Sequence, residues 1–272
     1  MRILLCLIII TLCFWSCKEK AKRPSWINFE FSDDSTHVFG SNKRVYPFQV
    51  YFKQNGNIVS DTIVLRANSS VKLLSFKTQD MDTLSILKSY EFKGAFGDPT
   101  DTIYDSTFNY QLPFPKYKSY KVLQGNNTNF THSDAFSRYA IDFRMPVGDT
   151  ICAARSGYVV GIVENFNKNG NDESYREYAN FITMYHEDGT FSQYVHLKQN
   201  GALVSLNEYV EQGQPIALSG NTGWSTEPHL HFAVFRSVPL NFESIPIIIN
   251  GNRSQTIKKW DVASHDIQKD HP

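Results

Sequence analysis

Two imidazoles stand two residues apart in an apolar run, His229-Leu230-His231-Phe232, and that alternation describes a β-strand with a histidine face. Successive side chains of a strand point to opposite faces, so His229 and His231 project together while Leu230 and Phe232 pack behind them. Two neutral imidazoles on one rigid face can bind or assist a zinc ion. Alone, such a pair reads more readily as a chance surface pair. Three further segments upstream favour the metal reading.

The first is Tyr194-Val195-His196-Leu197, which follows the apolar run from Phe181 to Tyr185 and the pair Asp188-Gly189. Asp-Gly between two apolar runs marks a hairpin turn, so His196 is expected on the second strand of a β-hairpin. The second is Tyr139-Ala140-Ile141-Asp142-Phe143, where a lone carboxylate is set among apolar neighbours. Burying an unpaired carboxylate is costly, so Asp142 requires a cation, a metal or hydrogen-bond donors. The third is His132, ten positions before Asp142, which by itself reads as a solvated loop histidine.

The order and context of these segments resemble the zinc metallopeptidases of the lysostaphin and LytM type, the M23 family, over roughly Pro113 to Ile249. The resemblance is carried by Asp142 with Pro146-Val147-Gly148, Ala153-Ala154 with Gly157-Tyr158-Val159, and Tyr194-Val195-His196-Leu197. It continues through the run from Val210 to Gly223 into His229-Leu230-His231. It implies that His132, Asp142 and His231 hold zinc, while His196 and His229 flank the attacking water. The usual spacing in the family is His-x-x-x-Asp. Here the position four before Asp142 is Arg138, whose guanidinium stays protonated and cannot ligate. A longer-loop form of the motif is similar to Thr131-His132, which makes His132 the expected first ligand.

Two histidines and one aspartate leave a coordination position open, as in catalytic rather than closed structural sites. Zinc can lower the pKa of water from about 15.7 to roughly 7. His196 and His229 can then move protons and hold the oxyanion of a peptide-bond hydrolysis. The resemblance points to peptidoglycan as substrate. The alternatives are a non-catalytic scaffold that activates other wall hydrolases, or a lipoprotein that binds peptidoglycan without cutting it.

Met1-Arg2 followed by the apolar run Ile3 to Trp15 reads as a secretory leader, too short for a usual membrane span of about 20 residues. Ser16-Cys17 resembles the end of a bacterial lipoprotein signal. Cleavage over 1–16 and lipidation of Cys17 would tether the chain to a membrane of the cell envelope, facing the periplasm or the surface. Ordinary cleavage or an uncleaved anchor is the alternative. Cys152 alone remains in the folded part, so no intramolecular disulfide forms there, and its apolar neighbours mark a small buried hydrophobe.

Twenty-seven basic and twenty-seven acidic residues balance, which gives nucleic acid no support as a partner and leaves cell-envelope proteins open. Abundant aromatics, Thr, Val and Ile predict an all-β chain. The expected layout is a tether over 17–23, a β-sandwich-like accessory domain over 24–110, and a LytM-type antiparallel sheet domain with a zinc groove over 111–250. A polar tail is expected over 251–272. In the accessory domain, runs at Val45–Phe52, Thr62–Leu65 and Ser70–Phe76 predict strands, with no catalytic constellation among them. Gln111-Leu112-Pro113-Phe114-Pro115-Lys116 predicts an extended linker. The polar stretch from Asn165 to Glu177 predicts a long loop that either walls a cleft and selects substrate or is a plain surface insertion. His37, His186, His265 and His271 are expected to be bystanders.

Overall fold

A computed structural model describes residues 24–77, 81–128 and 131–265. The leader, Cys17, the tether and His271 lie outside the described residues. No described helix is long and apolar enough to cross a membrane.

The fold is all-β apart from single short helical turns. The N-terminal region runs through β1 (Ile27–Phe31), β2 (Ser35–Asn42), β3 (Phe48–Gln54), β4 (Asn57–Ile58), β5 (Ile63–Leu65), β6 (Ser69–Lys77), α1 (Thr83–Ser89) and β7 (Tyr90–Phe96). One antiparallel sheet is β1-β2-β6, and β3 gathers β4, β5 and β7 into a second. Strict alternation along β2 turns Thr36, Val38, Gly40 and Asn42 inward. Ile27 and Val38 of one sheet meet Phe52 and Phe92 of the other around Ile86 of α1. That helix is absent from the sequence reading. Its start is fixed by Asp82, whose carboxylate accepts from the Ser85 amide at 2.7 Å.

The rest of the chain supplies β8 (Asn109–Tyr110), β9 (Ser119–Gln124), β10 (Ile141–Phe143), β11 (Thr150–Cys152), β12 (Gly157–Val163) and β13 (Asn169–Gly170). Then come β14 (Phe181–Tyr185), β15 (Phe191–Val195), β16 (Leu197–Ala202), β17 (Tyr209–Val210), β18 (Pro215–Ser219) and β19 (Gly223–Trp224). The last are β20 (Leu230–Val238), β21 (Asn241–Ser244), β22 (Ile248–Ile249), β23 (Asn252–Arg253) and β24 (Val262–Ser264). The main sheet has the order β17-β12-β14-β15-β20-β10-β9-β24, with β21 alongside β20. Smaller sheets are β11-β18-β16 and β23-β22-β8, and β13 pairs with β19.

β20 shows how alternation places the site. Leu230, Phe232 and Val234 enter the main core with Ile141, Phe143, Ile182, Met184 and Tyr194. The opposite face carries His231, then Ala233 and Phe235, which pack with Phe191 and the N-terminal Tyr46. The two regions are joined there. The buried Gln49 amide donates to Ser237 Oγ at 2.9 Å and the Val238 carbonyl at 3.0 Å, and its oxygen accepts from the Leu240 amide at 2.8 Å.

Two expectations differ from the structure. Leu112 and Phe114, in the segment expected to be an extended linker between domains, are buried in the main core, because an extended segment with alternate apolar residues can pack like a strand. Within the expected polar tail, Val262–Ser264 forms β24 on the edge strand β9, where main-chain pairing and the packing of Ala263 on the main core order the segment. Residues 266–272 lie outside the described part.

Candidate metal centre

β10 and β20 are neighbours, and their register sets Asp142 directly opposite His231. The side chains of such a pair share a face. His231 Nδ1 lies 2.9 Å from Asp142 Oδ1. His132, from the loop before β10, brings Nε2 to 3.2 Å from Asp142 Oδ1 and 3.3 Å from His231 Nδ1. A tetrahedral ion with bonds of roughly 2.0–2.1 Å spaces its ligand atoms about 3.3 Å apart, so these donor atoms fit one ion of that kind. His132 Nδ1 donates to the Gly125 carbonyl at 2.9 Å, which leaves the Nε2 lone pair for the site. Gly125 is required at that turn, because a Cβ would collide with the Ile257 carbonyl oxygen.

His196 follows β15 instead of lying within it, and its φ of 66° is unusual for a residue with a Cβ. This turn swings the imidazole toward the metal donors. Its Nδ1 donates to the Thr222 carbonyl at 2.6 Å, and its ring lies 4.4 Å from that of His229. Asn180, fully buried, secures the loop: its amide donates to the Phe166 and Leu197 carbonyls, and its main-chain N–H donates to Thr222 Oγ1. His229 stands just before β20. Its Nδ1 lies 2.8 Å from the Glu227 carbonyl and 3.1 Å from Ser225 Oγ, while Nε2 is 3.9 Å from Asp142 Oδ2.

The surroundings set the charge of each group. Burial opposes ionisation of Asp142, but His132 and His229 outweigh it and hold the carboxyl well below its ordinary value. Burial also opposes charge on His132, yet Asp142 and the Gly125 carbonyl leave its pKa raised. For His196, burial dominates, His229 and His231 add to it, and the imidazole is held well below its ordinary value. A neutral imidazole there is a base in waiting. Burial likewise lowers His231.

Asp142, His196, His229 and His231 edge a groove of about 410 Å³, and His132 lies buried behind them. Phe136, Phe181, Val195 and Trp224 form its apolar parts, and Arg176 brings one residue of the Asn165–Glu177 stretch into its wall. That stretch is partly regular: Asn169–Gly170 pairs with Gly223–Trp224, and Glu173–Tyr178 forms a 3-10 turn.

All five sequence candidates, His132, Asp142, His196, His229 and His231, therefore meet in one place. Arg138 does not join them and pairs with Glu243 at 2.6 Å. His186 is buried away from the groove, His265 bonds the Phe114 carbonyl, and His37 bonds Ser75. Sequence reasoning missed the groups that orient the imidazoles. Three are main-chain carbonyls, which no residue type advertises. Ser225 and Asn180 gave only a faint signal, as polar residues bordering apolar runs.

His132, Asp142 and His231 thus form a donor set able to hold a metal ion, with two more imidazoles beside it. Residues 137–242 match the model of Peptidase family M23. An uncharacterized metalloprotease of Buchnera aphidicola is 33% identical over 46% of this chain and 31% of its own length. The peptidoglycan DD-endopeptidase ShyB of Vibrio cholerae is 29% identical over 61% of this chain and 36% of its own. A solved structure of the antimicrobial peptidase lysostaphin from Staphylococcus simulans is 30% identical, covering 46% of this chain and 47% of that one, with a TM-score of 0.35. The chain thus spans about a third of the length of the first two relatives. The likeness to the M23 peptidase family lies in the C-terminal half of the chain, over residues 137–242. His132 lies just outside the matched residues.

Proposed function

We propose that the protein is a zinc-dependent endopeptidase that hydrolyses peptide bonds of cell-wall peptidoglycan, with His132, Asp142 and His231 as metal ligands. The observation that carries this reading is the convergence of three donor atoms, each within 3.3 Å of the others, at the edge of an open groove. When bound, zinc supplies Lewis acidity toward a carbonyl and acidifies water.

The chain's own residues do the rest. The Thr222 and Glu227 carbonyls hold the protons on Nδ1 of His196 and His229, so each Nε2 is a free base. Neutral His196 takes the proton of the attacking water at Nε2. The same proton then passes from His196, with the His229 ring 4.4 Å away at its side, to the departing amine nitrogen as the C–N bond breaks. The apolar wall of Phe136, Phe181 and Val195 limits water around the scissile amide.

An exported protein at the cell envelope, lipidated at Cys17, completes the reading. Its support is the leader-like run before Cys17 and the wall-directed names of the relatives. The test is digestion of purified sacculi by the zinc-loaded chain, with release of soluble peptides read by mass spectrometry. Release by wild type and none by His196→Ala is expected. Release by neither, with sacculi still bound, would turn the reading into that of a scaffold or binding protein.

A further inference from the structure

The charged side chains of the groove are not balanced. Asp142 belongs to the donor set, and the Glu227 carboxylate is taken by Arg144 at 3.1 Å. Two cations remain, Arg176 and Lys259. The Arg176 guanidinium lies 5.4 Å from the centre of the Trp224 ring and forms an i,i+3 ion pair with Glu173 at 3.6 Å, an exposed surface pair that a bound carboxylate can displace at little cost. Asp134 is also near Arg176, but its carboxylate is engaged by the amide and hydroxyl of Ser137 at 2.8 and 2.7 Å. The Lys259 ammonium rests 4.9 Å from the Trp260 ring and has no carboxylate at ion-pair distance among the described residues.

Their placement is informative. Arg176 precedes β14, and Lys259 precedes β24, which pairs with β9. The sheet order sets β15, β20 and β10 between β14 and β9. The two cations therefore stand on either side of the strands that carry Asp142 and His231. A peptide laid across those strands, with one amide at the donor set, would bring its flanking groups to Arg176 on one side and Lys259 on the other. A guanidinium held on an aromatic face suits a planar carboxylate, and an ammonium serves as a point charge.

We propose that Arg176 and Lys259 are specificity residues that select peptides with free carboxylates flanking the scissile amide over neutral peptides such as oligoglycine. This selectivity rests on the peptidase reading of the same groove. The remaining polar lining fits it: Gln124 and Gln193, whose amides donate to the Thr131 and Thr183 hydroxyls, are neutral and add no competing negative charge.

The experiment uses the zinc-loaded full chain and a matched pair of peptides with the scissile amide replaced by a non-hydrolysable methylene-amine. One peptide keeps its side-chain and α-carboxylates, and the other carries carboxamides. Affinities are read by calorimetry. Each half-exposed ion pair is worth about threefold, so the acidic peptide should bind wild type about tenfold more tightly. The preference should fall about threefold in Arg176→Gln and in Lys259→Gln, vanish in the double variant, reverse in Arg176→Glu with Lys259→Glu, and weaken at high salt. Equal affinities in wild type, or a preference that survives the double variant, would overturn the proposal. Hydrolysable versions run in parallel separate it from the reading beneath it. Acidic preference without turnover defeats the peptidase and leaves charge selection standing; turnover without preference does the reverse.

Discussion

The two ends of the β14–β15 hairpin each carry a buried histidine, and only one of them faces the groove. His186 follows β14 directly and His196 follows β15 directly. Each lends Nδ1 to a main-chain carbonyl, of Ser156 in one case and Thr222 in the other. Burial leads both imidazoles to a lowered pKa. They differ at Nε2. In His186 it is spent on Ser192 Oγ at 2.9 Å, inside the core. In His196 it has no protein partner among the described residues and lines the groove beside His229 and His231. Burial and a shifted pKa therefore do not distinguish the groove histidine from the core one. An unspent nitrogen at a cleft does.

The largest effect should come from removing a ligand beside His196. His231→Ala should release the metal and abolish turnover, exceeding the roughly 100-fold loss typical when only a ligand's hydrogen-bond partner is removed. Metal content and sacculus digestion read both. Retained metal with normal turnover would place the site elsewhere.

Next, His196→Ala should keep the metal and lose about 10²–10⁴ in turnover, the usual contribution of a positioned proton-transfer group. His186→Gln should leave turnover near wild type, since Nε2 there never reaches the groove. Equal losses in the two variants would erase the contrast between the hairpin ends.

The third effect concerns acid. Burial first, and the Arg155 charge beside it, push His186 down to about 4. The unfolded chain takes this proton near its ordinary pKa of roughly 6.5, so it binds more protons than the folded one in between. The stabilisation is present above about pH 6.5 and is lost as pH falls toward about 4, by about 3 kcal/mol in all. Urea unfolding of chelator-treated protein at pH 7 and pH 4.5 should show this loss in wild type and a smaller one in His186→Gln. Parallel pH dependence would mean that other groups carry it.

The smallest effect is positional. Ser225→Ala removes the hydroxyl at 3.1 Å from His229 Nδ1 and leaves the Glu227 carbonyl in place. Turnover should fall about tenfold, in the range of losing a partner behind a working imidazole, with the thermal midpoint nearly unchanged. A large drop in stability would instead mark Ser225 as a structural residue, since its Oγ also donates to Asn221.

Much of this site could be read from residue order alone. His229-Leu230-His231 and Ile141-Asp142-Phe143 announce themselves, because a polar ligand inside a period-two apolar run has only one face to occupy. His132 needed the resemblance, since a loop histidine ten residues before Asp142 has no periodicity to locate it. The Asp188-Gly189 turn placed the hairpin, but the positive φ that carries His196 off the end of β15 has no signature in a His-Leu dipeptide. Packing between distant segments was the least legible. Gln49 reads as an ordinary strand residue, yet its amide ties the N-terminal region to Ser237, Val238 and Leu240 across the chain. Such contacts depend on where two surfaces meet, which local patterns do not encode.

Zinc content of the purified chain begun after Cys17, beside His132→Ala, measured by elemental mass spectrometry, bears most directly on the donor set. About one zinc per chain in wild type, as a single His/Asp site requires, and none in the variant is the expected result. Zinc-free wild type after reconstitution, or zinc retained by His132→Ala, would contradict the assignment of His132, Asp142 and His231 as the metal ligands.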